Sequence, residues 1–97
     1  MAKHLNEQYL LRLYVNGRTA RSRMAEQNLR SYLNQHLRES FDLEVVDVQK
    51  DVEEIQKNNL LGTPTLIKFS PKPVSRVVGD MSDTFVLASV VGSEPQK

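Results

Sequence analysis

The stretch Gly62-Thr63-Pro64-Thr65-Leu66-Ile67-Lys68-Phe69 decides how this chain folds, because a glycine and a proline end one element and a mostly apolar, β-favouring run begins the next. Pro64 has no backbone N–H and pushes Thr63 out of the helical region, so a preceding helix stops here and a strand opens at or just after it. The Thr63-Pro64 bond is open to a cis or a trans arrangement, and a cis bond would aim the preceding backbone at its neighbours. Gly62, Thr63 and Pro64 are therefore read as the structural pivot.

On the C-terminal side, Thr65 to Phe69 predicts a strand, Ser70-Pro71-Lys72-Pro73 a turn and Val74 to Val78 a second strand. Together they make an antiparallel hairpin that ends at Gly79-Asp80. Ser82 and Asp83 suit a helix start, but the following Phe85 to Val91 carries two signals. Its apolar residues fit a helical stripe while its β-branched valines favour a strand, so both readings stay open. Ser93 to Lys97 is polar and expected to be disordered.

On the N-terminal side, Asp51-Val52-Glu53-Glu54 resembles a capping box, with Asp51 at the N-cap and Glu54 at N3. It opens a short helix that Asn58-Asn59 would fray. Phe41 to Val48 reads as a strand buried on both faces of a parallel sheet, through Leu43, Val45, Val46 and Val48. Ala25, Leu29, Tyr32, Leu33 and Leu37 recur at helical spacing, predicting a helix from about Ser22, its N-cap, to Arg38. Tyr9 to Val15 alternates as a strand, with Leu11, Leu13 and Val15 on one side and Leu10, Arg12 and Tyr14 on the other. Asn16-Gly17 ends it. The organisation expected is a flexible N-terminus over 1–8, one domain over 9–92 and a tail over 93–97.

Composition narrows the function. The chain has 97 residues and 39% hydrophobic content, enough for one modest core. Thirteen basic against twelve acidic side chains leave a net charge of +1, without the broad positive field of a general nucleic-acid binder. Zero cysteines exclude disulfides, thiol redox chemistry and cysteine nucleophiles. No apolar run is long enough to span a bilayer and Met1 to Gln8 is not a signal-peptide core, so a soluble cytoplasmic protein is expected.

The order βαβαββα is that of a thioredoxin-like α/β domain, with a proline before the third strand where that fold carries its cis-proline. The loop that would hold the redox thiols reads Arg18-Thr19-Ala20-Arg21-Ser22, so disulfide exchange is excluded. Within this class the chain resembles the KaiB family. The resemblance rests on Leu13-Tyr14-Val15 followed by Gly17, on Leu43-Glu44-Val45-Val46-Asp47-Val48, on Gly62 to Lys68, and on Pro71-Lys72-Pro73-Val74 leading to Gly79-Asp80-Met81-Ser82-Asp83. It implies a non-enzymatic binding protein without a cofactor that docks on a KaiC-like ATPase in a circadian clock or a clock-derived timing or stress system. It also implies self-association to a dimer or tetramer, competition with a clock-associated histidine kinase pathway, and a ground-state βαββααβ arrangement as an alternative fold of the C-terminal half.

The residues it points to are Arg23, Lys68 and Arg76 for partner binding, and Gly62, Thr63, Pro64, Gly79, Asp80 and Ser89 for the switch and its turns. Each has a plainer reading. The family's usual arginine falls opposite Met24, with Arg23 its neighbour, and Arg18, Arg21 and Arg23 also suit a solvated loop. Lys68 also reads as an edge-strand guard against aggregation. Arg76 keeps one member of a basic pair whose other member is Ser75 here. Ser89 is aligned by the resemblance with a family glycine. Asp80 and Asp83 suit turn and cap roles rather than acid–base chemistry, and His4 and His36 lack metal-site companions. Gly17 has no phosphate-binding companions. The competing function is a cysteine-free thioredoxin-like adaptor or sensor for another signalling protein, with a cysteine-free enzyme a distant third.

Overall fold

In the computed structural model, residues 8–17, 19–37, 40–50, 53, 57 and 63–91 are described. They form β1 (Tyr9–Val15), α1 (Ala20–His36), β2 (Phe41–Asp47), β3 (Thr65–Ser70), β4 (Ser75–Val78) and a C-terminal helix, α2 (Thr84–Val91). The four strands make one sheet in the order β2-β1-β3-β4, with β1 parallel to β2 and antiparallel to β3, and β3 antiparallel to β4.

Alternation in β1 divides the molecule into layers. Leu11, Leu13 and Val15 project to one face, where they join Leu66 and Val77 from the neighbouring strands and Ala25, Leu29, Leu33, Leu87 and Val91 from the two helices. This is the main core. Tyr14, Ile67 and Val48 form a smaller cluster on the opposite face, with Val46 and Phe69 beside it. A strand that feeds both clusters is the natural product of the period-two pattern read from its sequence.

Three expectations are revised. The N-cap of α1 is Thr19, whose Oγ1 accepts the Ser22 N–H, while Ser22 is buried and accepts the Asn16 N–H on its own Oγ. The helix therefore begins earlier than its apolar stripe. β2 is not buried on both faces: it is an edge strand whose residues are half-buried or exposed, because its valines flank the sheet instead of lying inside it. Lys68 is not an edge guard, since β3 lies between β1 and β4.

The ambiguous segment resolves as helix. Asp83 supplies the cap, its Oδ1 accepting the N–H groups of Phe85 and Val86, and the stripe Leu87, Val90 and Val91 is buried. Burial of that stripe outweighs the weak strand preference of the valines. The short helix expected from Asp51 lies mostly outside the described residues; Glu53 and Lys57 are described, both helical and exposed. Residues 1–7, Gly62 and the expected tail at 93–97 also lie outside them.

Candidate partner-docking surface

The pivot and the turn after β4 meet at one end of the sheet. Thr63-Pro64 is cis, and the Pro64 carbonyl accepts the Gly79 N–H at 2.9 Å. Gly79 has φ +129, and a Cβ built there would stand 3.9 Å from Arg21 Nη2. Asn28 Nδ2 donates to the Asp80 carbonyl at 2.9 Å, and Met81, with φ 64, is buried beneath the turn. Asp80 Oδ1 accepts the Ser82 N–H, and hydrogen bonds from Ser82, helped by the charge of Arg21, hold the carboxyl of Asp80 below its ordinary pKa. Four of the expected switch and turn residues, Thr63, Pro64, Gly79 and Asp80, are thus gathered in one cluster. Ser89 is elsewhere, exposed on α2, where its Oγ donates to the Val86 carbonyl.

The first loop is closed from the other side. Gly17, at φ +59, donates its N–H to Asp47 Oδ1, which also accepts the Gln49 N–H. Those backbone donors, Gln49 first and Gly17 next, pull the Asp47 pKa down. A Cβ at position 17 would come within 3.2 Å of Gln49 Oε1, so both φ and space favour glycine there. In place of a thiol pair, this loop has a carboxylate clamp.

The three residues expected to contact a partner are not brought together. Arg23 is exposed on the first turn of α1 and Arg76 is exposed on β4, opposite Ile67 and so on the face away from α1 and α2. Lys68 points to the helix-covered face, is 4% exposed, and holds its Nζ 6.0 Å from the centroid of the Tyr9 ring. Lys68 and Arg76 come from paired strands but alternate to opposite sides.

A groove of about 520 Å³ crosses the face away from the helices, lined by Leu10, Arg12, Asp42, Glu44 and Phe69. Arg12 organises it, donating from Nε to Glu44 Oε1 at 3.2 Å and from Nη1 to Tyr14 Oη at 3.1 Å, with its guanidinium 5.0 Å from the Phe69 centroid. Sequence reasoning missed this cluster. The only signal available was the alternation that places Leu10, Arg12 and Tyr14 on one side. Among the described residues no group of His, Asp or Glu is arranged to hold a metal ion, and no helix is long and apolar enough to cross a membrane.

The family model for the KaiB domain matches residues 12–92. The chain is 43% identical over 75 residues to the circadian clock oscillator protein KaiB of Prochlorococcus marinus (strain MIT 9303), covering 77% of this chain and 63% of that protein, a little under two thirds of its length. It is 43% identical to the KaiB of Parasynechococcus marenigrum (strain WH8102), over 77% of this chain and 72% of that one. The KaiB of Trichodesmium erythraeum is 39% identical over 79 residues, covering 81% and 76%. Among solved structures, the N-terminal domain of Synechococcus elongatus SasA superposes with a TM-score of 0.74 at 22% identity, covering 94% of this chain and 90% of that one. The thioredoxin Deadhead of Drosophila melanogaster gives 0.71 at 12% identity, over 92% and 83%. Those likenesses establish a thioredoxin-like fold. With a domain match running through β1, α1, β2, β3, β4 and α2, the chain belongs to the KaiB family.

Proposed function

We propose that the chain is a non-enzymatic clock-type regulator that binds a KaiC-type ATPase and alters its phosphorylation state or turnover. The observation that carries this is the coincidence of a domain-length KaiB match with a thioredoxin-like scaffold containing zero cysteines. The relatives are named as circadian clock oscillator proteins, and a fold shared with thioredoxins but without a single cysteine thiol is left with its surface as its working part.

Arg23 and Arg76 are exposed and are assigned direct contacts with an acidic partner surface. Lys68, buried against Tyr9, is assigned a supporting place in the sheet. The locked cluster of Thr63, Pro64, Gly79 and Asp80 holds the hairpin and α2 in the docking arrangement, and the C-terminal half retains the βαββααβ form as its alternative. Competition with a clock-associated histidine kinase for the ATPase, cytoplasmic location, and self-association to a dimer or tetramer belong to the same reading. Work in a stress-adaptation timer fits it equally.

Co-purification with a KaiC homologue in the presence of nucleotide, followed over hours, tests the proposal. A stable complex and a changed phosphorylation time course are expected. No association at micromolar protein would overturn it. Capture of a different signalling protein by the same surface would favour the adaptor reading.

A further inference from the structure

We propose that Asn16 is a site of spontaneous deamidation that the native fold holds shut through Asp47, and that its conversion to aspartate or isoaspartate unseats the loop leading into α1. Asn16-Gly17 is the one Asn-Gly pair in the sequence. Glycine has no side chain to shield its backbone nitrogen, so that nitrogen can reach the carboxamide of the preceding asparagine. In the reaction the Gly17 nitrogen bonds to Asn16 Cγ and the bond from Cγ to Nδ2 breaks. The proton lost from Gly17 leaves with Nδ2 as ammonia. A cyclic imide remains, and one water molecule opens it at either carbonyl to give aspartate or isoaspartate. Water is the only co-reactant, and the change acts on the chain itself, whatever partner it docks on.

The fold restrains the attacking nitrogen. The peptide group between Asn16 and Gly17 is pinned at both ends: its N–H donates to Asp47 Oδ1 at 3.0 Å, and its carbonyl accepts the Thr19 N–H at 3.4 Å. Ring closure draws the Gly17 nitrogen toward Cγ and strips its proton, so it breaks the Asp47 bond outright and strains the Thr19 bond. The Asn16 N–H is held as well, by Ser22 Oγ at 3.1 Å on the first turn of α1. The group under attack is not restrained in this way. Asn16 Oδ1 is buried without a hydrogen-bond partner among the described residues. A buried acceptor with no donor gains hydrogen bonds to water whenever the loop opens, which favours the exposed, reactive arrangement of the side chain. Protection therefore rests on the Asp47 clamp. The product fits the closed loop poorly: aspartate puts a carboxylate where the amide oxygen already lacks a donor, beside the residue that Asp47 holds, so burial and like charge both oppose it. Isoaspartate adds a backbone carbon and takes the Gly17 N–H out of line with Asp47.

Peptide mapping by mass spectrometry, with enzymatic methylation of isoaspartate as a second readout, follows Asn16 while the full chain is incubated in mildly alkaline buffer, native or in urea. Asn16 is expected to react at least about tenfold more slowly in the native chain, since reaction waits on local opening. Asp47→Ala is expected to raise the native rate several-fold, whereas Asp47→Asn keeps an oxygen acceptor and stays near wild type. Asp83→Ala weakens α2 without touching this loop and is expected to leave the rate unchanged. Should Asp47→Ala prove unfolded by circular dichroism, Ser22→Ala removes the acceptor of the Asn16 N–H and serves instead, with acceleration expected. Asn16→Asp, which installs one product directly, is expected to lower the urea midpoint. An Asn16 that stays intact in urea overturns the site. Equal native and unfolded rates, or equal acceleration by Asp47→Ala and Asp83→Ala, overturn the clamp, and an unchanged midpoint in Asn16→Asp overturns its effect on the loop.

Discussion

Gly79 donates its backbone N–H to the carbonyl of Pro64 at 2.9 Å, tying the residue that leaves β4 to the residue that leads into β3. At φ +129 the glycine occupies backbone space that side chains rarely enter, while the room for a Cβ is ordinary, 3.9 Å from Arg21 Nη2. Gly79→Ala is therefore expected to destabilise the fold through the backbone alone, by about 1–3 kcal/mol. Urea unfolding monitored by circular dichroism checks this as a lowered midpoint.

Asp83 and Ser89 set the stability of α2 in opposite ways. Asp83 Oδ1 caps two backbone donors, so Asp83→Ala is expected to cost about 1 kcal/mol. Ser89 is exposed mid-helix and spends its hydroxyl on the Val86 carbonyl. Ser89→Ala is expected to stabilise the helix by a few tenths of a kcal/mol, and Ser89→Gly to weaken it by about 0.5 kcal/mol. Amide exchange of residues 87–91 reads both effects.

Lys68 separates partner contact from packing. Lys68→Met keeps the length of the chain against Tyr9 and removes a charge from the helix-covered face, so stability is expected to hold or to rise by about 1 kcal/mol. Binding to a KaiC-type ATPase is expected to persist in this variant, whereas Arg23→Ala with Arg76→Ala weakens it. Titration of each variant by fluorescence anisotropy distinguishes the roles. Loss of binding in a stable Lys68→Met variant would show that the covered face of β3 opens on docking.

How much of this was legible in the residues depended on where each signal came from. Periodicity and turn chemistry are local, so β1, the body of α1 and the hairpin of β3 and β4 could be read directly. Position within the sheet is not local. The near-continuous apolar run of β2 looks like an interior strand, yet its place at the edge is set by which strands pair. The alternative reading of Lys68 as an edge guard could not be set aside from the residues for the same reason. The segment from Phe85 was balanced between two states until the core beneath Leu87 and Val91 decided it. The Arg12 cluster joins side chains from three strands, and nothing in their spacing announces that they meet.

Acid is expected to loosen the loop cluster. Asp47 and Asp80 both have pKa values below the ordinary carboxylate value, through hydrogen bonds from Gln49 and Gly17 in one case and from Ser82 in the other. A carboxylate depressed in the folded state contributes stability that is present above its unfolded pKa and is lost as pH falls through the folded one. Stability is therefore expected to hold near neutrality and to decline below about pH 4. In Asp47→Asn the decline is expected to be shallower, because one linked proton is gone. Urea midpoints measured across that range give the comparison.

The most direct measurement is the NMR secondary structure of isotope-labelled chain bound to a KaiC-type ATPase with nucleotide. Carbon chemical shifts are expected to report strand over Thr65–Ser70 and helix over Thr84–Val91 in the bound state, the arrangement that Asp83 caps and that Leu87 and Val91 bury. Absence of binding, or a bound chain whose residues 84–91 report strand, would contradict the thioredoxin-like form as the docking form.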